Sequence, residues 1–298
     1  MDAPLVALSF PAVWLILALL SSLLSAQNVE MNRRARQEGF RLNLWRMALS
    51  ALFWGPLALL QPWPDDTLFY VAAVFSGVAM IIGFTIQNDL AVRHNGRIAI
   101  LHMPLKAVFV FMLWGILDAQ ARDHYFSNPG IVVGILVCLA VMVTALFAFR
   151  RHDVSWTSLR AVMPIVGLYG AGDILSRLAI TPHDLQSQLI VFLFVMTATS
   201  AVVSLLYLPW RPRPDLPLVH PNLMRAAGWA AFGGTLNQVC FFGALVLGPS
   251  PAYVSMVALL APVWLLFYHR MAHIKDDASP LAGTVVVVTA IVLMWLVA

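Results

Sequence analysis

The run HMPLKAVFVFMLW, residues 102–114, places one ammonium group, that of Lys106, among Leu, Val, Phe, Met and Trp side chains. No Asp or Glu stands within ten residues of it on either side. The solvent around this segment decides how such a cation is read, and composition supplies the solvent. Of 298 residues, 61% are hydrophobic and only 11% charged, with mean hydropathy +0.83. That is the composition of an integral membrane protein. Apolar stretches long enough to cross a hydrocarbon layer of roughly 30 Å recur along the chain. Ten can be read, at 5–26, 42–60, 67–90, 97–117, 130–149, 159–180, 186–208, 223–247, 251–268 and 280–298.

The first span has only Asp2 before it and no basic flank, so it reads as a retained helix and not as a signal peptide. Cys138 and Cys240 fall inside apolar spans and read as small core residues. His269 and His273 share a helical spacing near Asp276 and Asp277, but in a basic connector, where a solvated face is expected. No metal or other cofactor is expected.

The net charge of +4 and pI of 9.4 do not require nucleic acid, because the charges are sorted by side. Connectors after odd-numbered spans, with their edges, hold fourteen of the eighteen basic residues, from Arg33 and Arg34 to Arg270 and Lys275. Connectors after even-numbered spans hold only Arg122. The positive-inside rule then puts the odd connectors in the cytoplasm and both termini outside. The expected location is the cell membrane, in a bacterium the inner membrane.

The third and fourth spans resemble the eighth and ninth. GFTIQNDLAVRHNGRIAILHMPLKAVFVF and GGTLNQVCFFGALVLGPSPAYVSMVALLAPVWLLF each carry an Asn/Gln pair, a polar break and then a proline-bearing helix, with Pro104 and Pro262. NPGIVVGILVCLAVMV and SPLAGTVVVVTAIVLM pair in the same way. The reading is a duplication, residues 1–150 and 151–298. An odd number of spans per copy makes the second inverted, so the fold expected is all-α: ten transmembrane helices as two inverted five-helix repeats around a central cavity.

The NLWRMALSALFWGPLALL span, the ALVLGPSPAYVSMVALLAPVWLLF stretch and the Gly-containing closing span of each half resemble the EamA-type branch of the drug/metabolite transporter superfamily. The resemblance runs over essentially the whole chain. It implies a helical basket around a cavity that moves small organic metabolites, often amino acids or related compounds, usually outward. It also implies cytoplasmic termini, opposite to what the charge distribution implies. Near the end of the fourth span of each repeat it implies a Glu, where MLWGILDAQARD and YHRMAHIKDD carry Asp.

Polar residues left inside spans must face a partner, a cavity or the interface. Arg46, one turn inside its span, is expected to snorkel to the headgroups. Glu30 is expected just beyond the first span in a local ion pair with Arg33 and Arg34, and Asp89 with Arg93 in either a surface pair or a gate contact. Asp173 follows Gly167, Gly170 and Gly172 well below the surface, and Arg177 one turn on offers it an intrahelical partner. Asn237 and Gln238 sit mid-span, flanked by glycines, while Gln87, His102 and Tyr169 lie at shallower or intermediate depth. A central Lys costs roughly 2.5–3.5 kcal/mol on insertion scales. Three explanations for Lys106 stand: a buried pair with Asp173, a neutral amine, or a wet cavity where it meets an anionic substrate group.

The substrate-binding set read from sequence is therefore Lys106, Asp173, Asn237, Gln238, Tyr169, His102 and Gln87. The function expected is a secondary carrier of a small organic metabolite, amino-acid-like or anionic, working by alternating access, with a proton as the coupling ion. The runner-up is a membrane-embedded enzyme or flippase acting on a lipid-linked substrate, and a third class is a structural protein using these polar groups as helix glue. No cluster of paired acids, His-rich metal set or Ser/Lys nucleophile motif stands at the membrane surface, so the chain is not expected to be an enzyme, and without an ATP-binding loop the energy is expected from a gradient or from the substrate itself. The expected partners are the bilayer and the substrate, with the chain a monomer or weak dimer.

Overall fold

The computed structural model describes residues 10–93, 102–148, 156–210, 217–273 and 280–297. Among them the chain is all helix, without strands. The elements are α1 (Phe10–Ala35), α2 (Gly39–Ala58), α3 (Thr67–Arg93), α4 (His102–Leu117), α5 (Ala119–Ser127), α6 (Pro129–Ala148) and α7 (Trp156–Ala179). There follow α8 (Leu185–Tyr207), α9 (Pro221–Leu247), α10 (Pro251–Ala258), α11 (Ala261–Met271) and α12 (Pro280–Val297). Among the described residues five helical stretches are long and apolar enough to cross a membrane: Val13–Ala35, Thr67–Gln87, Leu185–Trp210, Pro221–Leu247 and Pro251–Met271. The outer surface is greasy, with Leu52, Leu60 and Phe126 at 73, 79 and 80% exposure. In water such a surface would aggregate, so it marks a membrane protein.

Local chemistry sets several boundaries. α9 starts where the His220 ring accepts from Leu223 N at 3.2 Å, with Pro221 next, and α10 where Ser250 Oγ accepts from Ala252 N at 3.2 Å, with Pro251 next. A side-chain acceptor followed by proline meets the free N–H groups of a first turn without losing an internal bond. The ninth apolar stretch is discontinuous: helix stops at Ala258 and resumes at Ala261, with Pro262 in the new first turn. Pro104 lies near the described start of α4, and residues 94–101 before it lie outside the described residues. α4 turns by 97° into α5, whose start is held by Asp118 Oδ1 accepting from Gln120 N at 2.9 Å.

The first helix departs from the sequence reading. It runs through to Ala35 and does not stop at 26, which carries Glu30 inside it at 4% exposure. Packing is between the halves as much as within them. α1 lies on α9, α10 and α11, α2 on α8 and α9, and α3 on α7 and α8. α4 lies on α7 and α10, and α6 on α12. At the end opposite the basic connectors, Phe69, Phe192 and Phe242 form a chain of ring contacts, with centroids 5.6 and 5.3 Å apart. At the basic end the ties are polar: Gly39 N donates to Asp89 Oδ1 at 3.0 Å, and Trp45 Nε1 to Leu218 O at 3.0 Å. Asp89 thus serves the start of α2; the side chain of Arg93, the partner expected for it, lies outside the described residues.

Candidate functional site: a charged cavity between the halves

Lys106 has a partner. Its Nζ donates to Asp173 Oδ2 at 2.7 Å, with side-chain exposures of 8 and 9%. Ser255 Oγ on α10 approaches the same oxygen at 3.5 Å, and the Phe241 ring lies 4.9 Å from the ammonium. The pair needs α4 and α7 close together, and Gly170, one turn before Asp173, allows it. A methyl there would fall 2.5 Å from Phe109 Cδ1, one turn beyond Lys106. Arg177 is not the partner of Asp173, although their spacing permits it: its Nη1 donates to Val246 O at 2.9 Å, tying α7 to the end of α9.

The pair faces a cavity of about 120 Å³ lined from α1, α2, α3, α4, α7, α9 and α10. Gln87, His102, Tyr169 and Asn237 line it together with Lys106 and Asp173, so six of the seven residues picked from sequence meet there. His102 and Tyr169 rings meet edge to face at 5.5 Å, and the Tyr169 hydroxyl is without a hydrogen-bond partner among the described residues. Asn237 joins α9 to α1: its Oδ1 accepts from Ser21 Oγ at 2.8 Å and its Nδ2 donates to Ser25 Oγ at 3.2 Å. Gln238 is the exception. It is buried at 4% exposure outside the cavity lining, because the next residue on a helix is rotated about 100° from its neighbour.

Two corrections add residues that sequence reasoning misplaced. Arg46 does not snorkel: it is 2% exposed, its guanidinium lies 4.0 Å above the Phe84 ring, and it lines the cavity. The signal was the Gly233-Gly234 pair on α9, since a methyl on Gly234 would stand 2.5 Å from Arg46 Nη2. Asn28 was passed over altogether; it is 8% exposed, lines the cavity, and would meet a methyl on Gly233 at 2.6 Å from Oδ1. His269, in turn, is not solvated: at 7% exposure its Nε2 lies 3.1 Å from Glu30 Oε2. Glu30 also takes Arg33 and Arg34, each at 2.7 Å, as the local ion pair expected. Cys138 and Cys240 are free and buried. His273 is exposed, and Asp276 and Asp277 lie outside the described residues.

No family model and no curated protein matches this chain. A solved structure described only as "Crystal structure of protein" is similar to it, with TM-score 0.65, 16% identity, and coverage of 95% of this chain and 98% of that one. The fold is shared. At such identity the likeness extends over nearly the full length of both chains and says nothing of function.

Proposed function

We propose that the chain is a secondary carrier that moves a small organic metabolite across the cell membrane by alternating access, its substrate held in the cavity between residues 1–150 and 151–298. The observation that carries this is the Lys106–Asp173 pair, joining the two halves across a polar cavity inside a lipid-facing bundle. Intramembrane charges are expensive and are kept where a pathway or site needs them. A cavity of about 120 Å³ suits a small metabolite better than a lipid-linked or nucleotide-sized one, against roughly 300–1,000 Å³ for drug-sized pockets.

Ten spans in two inverted repeats are supported by the packing. Exchange α1 with α7, α2 with α8, α3 with α9, α4 with the α10/α11 pair and α6 with α12. The contact of α1 with α9 then becomes that of α7 with α3, and α4 with α7 becomes α10/α11 with α1. The α3–α8 contact becomes α9–α2, while α2–α8 and α6–α12 map onto themselves. All are present, as a pseudo-two-fold axis requires. The break at Leu259 and Leu260, beside the cavity-lining Ala258, is the discontinuous helix that carriers place at their sites. A ten-span plan of this kind is also what the EamA-type resemblance implies. A proton or the substrate itself, competing for the Lys106–Asp173 pair, is the means of coupling.

The test is uptake of amino acids, organic acids and sugars into liposomes containing the purified protein. We expect at least one compound to accumulate above protein-free liposomes, and Asp173→Asn to abolish it. Monodisperse wild-type protein that moves none of them would overturn the reading.

A further inference from the structure

The Lys106–Asp173 pair is electrically complete, but the cavity is not. Its charged lining residues are Arg46, Lys106 and Asp173, which sum to one net positive charge, and that charge is Arg46. Among the described residues the Arg46 guanidinium has no carboxylate partner; its contact is the face of Phe84 at 4.0 Å. A guanidinium at 2% exposure in a membrane bundle carries a large desolvation cost unless an anion visits it. Two more groups in the same lining wait for a partner. Asn28 has neither its amide nitrogen nor its oxygen hydrogen-bonded, and the Tyr169 hydroxyl is likewise unmet. Gly233 and Gly234 leave just the room these side chains occupy, since methyls there would stand 2.6 Å from Asn28 Oδ1 and 2.5 Å from Arg46 Nη2. The rest of the lining is mixed: Met80, Phe84, Met103 and Phe241 supply an apolar portion beside Ser21, Ser76 and Gln87.

We propose that Arg46 is the anion receptor of the cavity and that the ligand is a small monocarboxylate with an apolar body. This inference rests on the carrier reading for its biological meaning. The planar guanidinium takes the carboxylate in a two-point fork, with Asn28 and Tyr169 completing its hydrogen bonds. Phe84 holds the other face of the guanidinium flat, and the Met and Phe walls receive the tail. One negative charge on the ligand neutralises the cavity, and Lys106–Asp173 stays paired beside it. Arg46 thus takes the role that the sequence suggested for Lys106.

The experiment is binding of acetate, isovalerate, benzoate and phenylacetate to the purified full-length protein, with isopentylamine and benzamide as cationic and neutral controls. Wild type is expected to bind at least one carboxylate and neither control. Arg46→Met is expected to weaken that binding roughly tenfold to a hundredfold, and Arg46→Lys to restore only part, because a point charge lacks the fork. Equal affinity in wild type and Arg46→Met, or no carboxylate binding by wild type, would overturn the proposal. Should Arg46→Met not purify folded, Gly234→Ala decides, since its methyl displaces the guanidinium without removing the charge: weakened carboxylate binding supports the proposal and unchanged binding overturns it. Failure of the carrier reading would look different. Arg46-dependent binding without flux into liposomes sinks transport and leaves this site standing, whereas isopentylamine flux indifferent to Arg46→Met does the reverse.

Discussion

Replacing Lys106 with Met leaves the Asp173 carboxylate buried at 9% side-chain exposure with only a 3.5 Å contact from Ser255 Oγ in place of the 2.7 Å ammonium bond. Breaking a buried pair by removing one partner costs about 3–5 kcal/mol, because the remaining charge stays desolvated. Asp173→Asn strands the ammonium instead and should cost a similar amount. The double variant Lys106→Met, Asp173→Leu removes both charges and keeps comparable volume, so its stability should return to within about 1.5 kcal/mol of wild type. Unfolding of purified protein in detergent, followed by heat and by denaturant, gives the four corners of the cycle. Transport supplies an independent readout: the double variant should be folded and dead. Single variants as stable as wild type, with effects that simply add, would refute the reasoning, since they would mean that both groups are hydrated separately.

Gly170→Val should separate α4 from α7, because even its Cβ would stand 2.5 Å from Phe109 Cδ1; a lower Tm together with lost substrate binding would register this. Asn237→Ala removes the link to Ser21 and Ser25 and should cost about 1–3 kcal/mol in denaturant unfolding. Glu30→Gln should loosen α1 from α11, seen as faster hydrogen exchange near His269, while the exposed Arg36→Gln should not. Single cysteines at 36–38 and 211–220 should label from the cytoplasm and those at 62–66 from outside, as the sorting of basic residues requires.

The sequence made the helices legible because each is a long apolar run, and it made Lys106 and Asp173 legible because isolated charges in such runs need partners. It placed Asp173 but left the partner open between Lys106 and Arg177. Spacing along one helix permits a pair, and only the approach of α4 over Gly170 chooses another. Arg46 was misread for a related reason. Distance from the end of a span measures depth, while snorkelling also depends on which face of α2 the side chain occupies. That face was written in another helix, as Gly233 and Gly234. Asn237 and Gln238 show the same limit within a single dipeptide: composition marks both, and helical rotation sends one to the cavity. The Glu30–His269 contact joins residues 239 positions apart, beyond the reach of any local pattern.

Alternating access itself is open to measurement through Met80, a cavity-lining residue of α3. With Cys138 and Cys240 replaced by Ala and Met80→Cys introduced, a membrane-impermeant thiol reagent is added to oriented vesicles from one side or the other. A carrier exposes this position to each face in turn, so labelling should proceed from both sides and slow when a bound carboxylate fills the cavity. Labelling from one side alone, at a rate indifferent to every carboxylate tested, would contradict it.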